Sequence, residues 1–207
     1  MPLDTCITFV AATTVLLLIP GPTILLVLSY AISQGRRVAV STAAGVAVGD
    51  LVAMTASLAG LGAVVLASAT LFAALKWAGA VYLVYLGVKM IVSARRVNFA
   101  LPQTDAISTR RTFTHAAAVT ALNPKSIAFF IAFVPQFIQP GAPLMPQFAI
   151  LVGTFVTMAA LNALAYALLA GSLRDRLARP GVIAWLTRAG GATLIGMGVL
   201  TATLRRS

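Results

Sequence analysis

Val15-Leu16-Leu17-Leu18-Ile19-Pro20-Gly21-Pro22-Thr23-Ile24-Leu25-Leu26-Val27-Leu28 sits in the middle of an apolar run that extends from Thr5 to Ser33. A run of that length can cross a bilayer, because roughly 20 apolar residues span a hydrocarbon core of about 30 Å. Pro-Gly-Pro prevents it from crossing as one regular helix. Neither proline has an amide to donate, each ring clashes with the preceding turn, and the glycine between them tolerates almost any backbone angle. The helix is expected to unwind at residues 20–22. Backbone groups freed inside a membrane survive only where protein or a wet cavity surrounds them, so the break points into the protein.

Outward from this stretch, five further apolar runs follow: Val38 to Ala67, Leu71 to Val92, Phe113 to Ile138, Met145 to Leu173 and Val182 to Leu204. The sixth span is the weakest, since Arg188 interrupts it, and a five-span chain stays open. The first run lacks a basic leader and is longer than a signal peptide's apolar region, so it reads as retained helix. Of the 207 residues, 60% are hydrophobic and 9% charged, which excludes an ordinary soluble globule. Fifteen Lys and Arg against four acidic residues, all Asp, give +11 with His115 neutral. In a soluble protein that balance would suggest nucleic acid, but here the bases flank apolar runs and nucleic acid is not an expected partner. Cys6 is the single cysteine and can form neither an internal disulfide nor a thiolate metal site.

Arg36 and Arg37 follow the first run, Lys89, Arg95, Arg96, Arg110 and Arg111 border the third loop, and Arg174, Arg176, Arg179 and Arg188 border the fifth. Lys76, Arg205 and Arg206 fall on the other side. The asymmetry places residues 34–37, 93–112 and 174–181 in the cytoplasm and the N-terminus outside it. The polar connector splits the chain into residues 1–93, a cytoplasmic loop at 94–112, and residues 113–207. A shift of 111 residues lays Ala78-Gly79, Leu83 and Gly87-Val88 on Ala189-Gly190, Leu194 and Gly198-Val199. The alternative to a repeat is two helix-packing faces of similar composition. A repeat of three spans must cross in the opposite sense, which is an architecture of secondary transporters. The fold expected is therefore all-α: six transmembrane helices in two inverted three-helix repeats, with the first and fourth helices broken.

The second break is Asn123-Pro124-Lys125, in the span that heads the second half. Counted from the cytoplasmic bases at about 1.5 Å per helical residue, Pro22, Asp50, Lys125 and Asn162 all lie roughly 18 to 21 Å deep. Four polar or broken positions on four helices thus share one layer. Asn162 could serve only as a helix-bridging hydrogen bond, and a buried Asp50–Lys125 ion pair is a structural alternative for that pair. Asp50 favours function, because a carboxyl at the bilayer centre is expensive when ionised unless paired or wet. The candidate substrate-binding set is Pro20, Gly21, Pro22, Thr23, Asp50, Asn123, Pro124, Lys125 and Asn162, with Asp50 also the candidate for proton coupling.

Pro20-Gly21-Pro22, Gly35-Arg36-Arg37, Gly45-xxx-Gly49-Asp50, the run Lys76-Trp77-Ala78-Gly79-Ala80-Val81-Tyr82-Leu83-Val84-Tyr85-Leu86-Gly87, Asn123-Pro124-Lys125 and Phe133-Val134-Pro135-Gln136-Phe137 occur in one order. Together they resemble the LysE/RhtB family of lysine and homoserine/threonine exporters over nearly the whole chain. The resemblance implies a bacterial inner-membrane protein that exports amino acids by antiport with protons, its substrate a small neutral amino acid such as homoserine, threonine or leucine. Thr23 departs from relatives that carry a carboxamide or other polar residue there, leaving substrate choice open.

The residues suggest how such a site could work. Amides opening the half-helices, at Thr23 and Ile24 and at Lys125 and Ser126, would receive the α-carboxylate. Asp50 and carbonyls orphaned by the prolines, such as those of Leu16, Leu18 and Thr120, would accept the α-ammonium. No cofactor or metal is called for, and the glycine faces leave a homodimer open. Trp77 reads as an interfacial anchor, Tyr82 and Tyr85 as either outward or cavity-facing, and His115 as a residue of the inner surface. A metal or small-ion permease would need more ligands than Asp50; an enzyme would need a catalytic set that the spans lack. A scaffold would need neither the breaks nor the aspartate.

Overall fold

A computed structural model describes residues 1–19, 21–94, 108–139, 141–177 and 180–203. Pro20, Arg205, Arg206 and the parts of the expected cytoplasmic loops at 95–107 and 178–179 lie outside them. The described elements are α1 (Leu3–Leu18), α2 (Pro22–Gln34), α3 (Arg36–Ala67), α4 (Ala69–Ser93), α5 (Thr109–Ala121), α6 (Pro124–Ala128), a π-helical turn (Phe129–Phe133), a 3-10 turn (Val134–Phe137), α7 (Leu144–Leu177) and α8 (Pro180–Thr203). Helix α5 begins inside the stretch assigned from sequence to the connector.

The element ends follow from local chemistry. Gly35 separates α2 from α3 at φ 82, a left-handed angle that costs glycine little. Ser68 interrupts the apolar run between α3 and α4, and its hydroxyl accepts from the Leu71 amide at 3.2 Å. Ser108 caps α5 in the same way through the Arg111 amide at 3.3 Å. Such caps satisfy amides that the first helical turn leaves free.

Among the described residues, five stretches are long and apolar enough to cross a membrane: Arg37–Val64, Thr70–Ser93, Thr109–Phe137, Leu144–Ala170 and Gly181–Thr203. The pair α1 and α2, bent by 55°, makes the sixth. Arg188 does not end the last of these, because the apolar run on its C-terminal side continues in one helix with the run before it.

Two helix crossings are made close by glycine. Gly45 and Gly49 on α3 face α5 so tightly that an added Cβ would meet the carbonyls of Phe113 and Ala117. Gly87 on α4 and Gly191 on α8 face each other's carbonyls in the same manner. Small residues let membrane helices approach to backbone contact. Ser41 Oγ also donates to the Thr109 carbonyl at 2.7 Å, and Tyr30 Oη pairs with His115 Nδ1 at 2.8 Å. These contacts bring the end of α2, the start of α3 and the start of α5 to one end of the bundle, where Arg37, Arg110 and Arg111 gather.

The interior is two apolar clusters stacked along the bundle. One is aromatic: Phe9, Phe129, Phe130, Phe133, Phe137 and Phe155, with Met54 and Leu58. Its rings interlock edge-on, Phe130 and Phe155 at 4.8 Å and Phe9 and Phe137 at 5.1 Å between centroids. The other, nearer the arginine end, is built from Val27, Leu28, Val46 and a row of alanines, Ala39, Ala43, Ala116, Ala163 and Ala167. A thin polar layer separates the two.

Candidate functional site

The polar layer forms where both interrupted helices come together. No side chain caps α2, and its first backbone bond runs from the Leu25 amide to the Gly21 carbonyl at 3.0 Å. The amides of Thr23 and Ile24 therefore precede the helix's own ladder. On the other side of the break, α1 ends at Leu18 and leaves its last carbonyls without intrahelical partners. The second break is capped from within: Asn123 Oδ1 accepts from the Lys125 amide at 3.0 Å. Asn123 Nδ2 then donates to Thr23 Oγ1 at 3.0 Å, tying the two breaks together across 100 positions of sequence.

The α1 carbonyls are taken by donors from the second half. Lys125 Nζ donates to the Leu16 carbonyl at 2.9 Å and the Ile19 carbonyl at 3.0 Å. Asn162 Nδ2 donates to the Leu17 carbonyl at 3.0 Å, and Tyr166 Oη to the Leu18 carbonyl at 2.9 Å. The expectation that carbonyls of Leu16, Leu18 and Thr120 stand free is thus corrected, since the Thr120 carbonyl accepts from the Asn123 amide at 3.0 Å. The physical reason is general: a buried carbonyl without water takes whatever donor can reach it. The amide of Lys125, expected to face a ligand, is likewise occupied by its own cap.

Asp50 behaves differently. It is 3% exposed, and its Oδ1 has no hydrogen-bond partner among the described residues. Lys125 gives its protons to carbonyls rather than to this carboxyl, so the close ion pair entertained from sequence is not formed. Both residues nevertheless line one cavity of ≈30 Å³, together with Gly21, Thr23, Asn123 and Asn162. Space of this size admits a water or two and no amino acid. Its walls carry residues of both clusters, Leu16 and Ala159 from the aromatic one and Ile24 and Val46 from the alanine one. A larger cavity of ≈840 Å³ lies between α3 and α7, but its walls are Leu58, Met145, Phe148, Val152 and other mostly apolar residues, with no charged group.

Of the positions singled out from sequence, Gly21, Thr23, Asp50, Asn123, Lys125 and Asn162 meet at the cavity. Pro22 and Pro124 do not line it; both are exposed and begin α2 and α6, so they act on the backbone. Pro20 lies outside the described residues. Ser126 lines the cavity; the sequence pointed to its amide and missed its place on the wall. Tyr166 was also missed; it lies one turn after Asn162, on the same face of α7. Tyr82 and Tyr85 point outward, 42% and 54% exposed, which removes them from the cavity. Among the described residues, no three His, Cys, Asp or Glu side chains gather as metal ligands.

The chain matches the model of LysE type translocators over residues 14–205. It is 33% identical over 200 residues to a homoserine/homoserine lactone efflux protein of Salmonella typhimurium, a match that covers 96% of each chain. A Vibrio cholerae protein described as an uncharacterized membrane protein is 30% identical over 205 residues, 99% of this chain and 100% of its own. No solved structure matches.

Proposed function

The chain belongs to the LysE type translocator family and is a multi-pass membrane protein, and we propose that it exports a small neutral amino acid from the bacterial cytoplasm in exchange for protons. The observation that carries this reading is Asp50: a buried carboxyl oxygen with no partner among the described residues, in a polar cavity between two apolar clusters where both broken helices meet. A polar site near mid-depth where two discontinuous helices meet is where transporters of this architecture place substrate and coupling ion. The basic ends of α3 and α5 and the end of α2 lie in the cytoplasm on this reading, with the N-terminus on the periplasmic side of the inner membrane. Residues 1–93 and 113–207 then act as inverted halves that rock about the cavity.

The similarity to a homoserine/homoserine lactone efflux protein narrows the chemistry. Homoserine and its lactone share an α-ammonium group beside an acyl oxygen, whereas only one of them has a free carboxylate. Recognition of the cation is therefore assigned to Asp50 and the α1 carbonyls. The amides of Thr23 and Ile24, at the positive end of α2, take the acyl oxygen or carboxylate. Asp50 accepts a proton from the outside when the substrate has left, and releases it when an ammonium arrives from the inside. Two cations competing for one carboxylate produce antiport. A metal-cation permease is disfavoured, because Asp50 is the one acidic residue among the described residues of the cavity wall.

The test is efflux from proteoliposomes preloaded with a panel of amino acids, with and without an acid exterior. Homoserine, threonine or leucine should leave faster when the exterior is acid. Absence of transport for every member of the panel would overturn the reading.

A further inference from the structure

We propose that the Lys125 ammonium is a tethered stand-in for the substrate's ammonium, which fills the cation site of the empty carrier and so permits its return across the membrane. The proposal rests on the exporter reading above and extends it to the half of the cycle in which no substrate is bound.

The geometry is specific. Lys125 Nζ lies 2.9 and 3.0 Å from the carbonyls of Leu16 and Ile19, acceptors that exist only because α1 stops at the first break. A cation there meets the negative end of the α1 dipole and shares the cavity with Asp50. The side chain passes against Gly21, where an added Cβ would lie 3.4 Å from Lys125 Cδ and 3.6 Å from Nζ, so the glycine leaves a channel for the lysine stem. The cavity that remains is too small for an amino acid. Its most displaceable occupant is this single flexible chain, held by two hydrogen bonds and no close ion pair.

These features define two states that exchange one ammonium for another. When substrate enters, its α-ammonium takes the carbonyls and Asp50, and Lys125 withdraws. When substrate leaves, Lys125 swings back and satisfies acceptors that would otherwise be buried bare in a low-dielectric layer. The empty protein can then adopt the form seen here and reorient. A carrier without this group must wait for another substrate before it can turn over.

The test separates net efflux from exchange. Wild type, Lys125→Gln, Lys125→Met and Lys125→Arg are reconstituted, and labelled amino acid is followed out of the vesicles with either none or excess of the same amino acid outside. In Lys125→Gln and Lys125→Met the ratio of net efflux to exchange should fall by about tenfold or more; Lys125→Arg, which retains a cation, should bring that ratio back close to wild type. Loss of both modes in monodisperse variant protein, or a raised half-saturation in exchange, would make Lys125 a substrate-binding or structural residue and overturn the proposal. Retention of both modes would overturn it equally. If the uncharged variants do not fold, Lys125→Arg decides alone: a net-to-exchange ratio close to wild type sustains the proposal, and a tenfold fall defeats it. Failure of wild type in both modes would instead remove the exporter reading itself.

Discussion

The two broken helices look alike in sequence and do opposite things. The first break, after Leu18, contributes acceptors: four successive carbonyls, from Leu16 to Ile19, point at donors from elsewhere. The second break, at Asn123-Pro124-Lys125, contributes donors and closes on itself, its amide capped by Asn123 and its ammonium sent across to the first. The difference teaches that two breaks of similar sequence need not contribute alike to one site. A site for a molecule with unlike ends is better made from one acceptor-rich wall and one donor-rich wall. Asp50 extends the acceptor wall.

The largest effect should come from Asp50→Asn, which keeps the shape of the acceptor wall and removes its charge. Acid-driven efflux should disappear, a fall of about 100-fold or more, while the purified protein stays monodisperse. Normal gradient-dependent efflux by the variant would show that the first wall does not need its carboxyl. Asn123→Ala removes both the cap of the second break and the bond to Thr23. Loss of a cap costs about 1 kcal/mol, and with the severed link between the walls thermal unfolding should begin several degrees lower and transport fall by about tenfold. Asn123→Asp, which keeps the cap acceptor but has no amide to give Thr23, should fall between. Tyr166→Phe deletes one donor to the Leu18 carbonyl, worth about 1 kcal/mol, and should slow transport by a few-fold. Tyr82→Phe, on the outward face, should change neither stability nor transport beyond about twofold.

Much of this arrangement was legible before coordinates. Six spans follow from the lengths of apolar runs, and both breaks from proline in places where an amide is needed. The common depth of Asp50, Lys125 and Asn162 follows from a constant rise per residue. What could not be read is which donor answers which carbonyl. Tyr166 reaches Leu18 across 148 positions, and Asn162 reaches Leu17 across 145, so both depend on how α7 crosses α1, which no local pattern encodes. The same holds for Lys125. Its depth suggested an ion pair with Asp50, but the end of α1 offers it two carbonyls at hydrogen-bonding distance. The π-helical turn Phe129–Phe133 was equally hidden, since a single extra residue in a turn leaves apolar periodicity almost unchanged.

The central claim is that the acceptor wall selects an ammonium group. The most direct measurement is inhibition of labelled amino-acid exchange, in wild-type proteoliposomes, by three unlabelled compounds: the amino acid, its lactone or methyl ester, and its N-acetyl derivative. The account predicts that the ester or lactone still competes, whereas the N-acetyl compound, which has no cation to place beside Asp50, is about 100-fold or more weaker. An N-acetyl derivative that competes as well as the parent amino acid would contradict it.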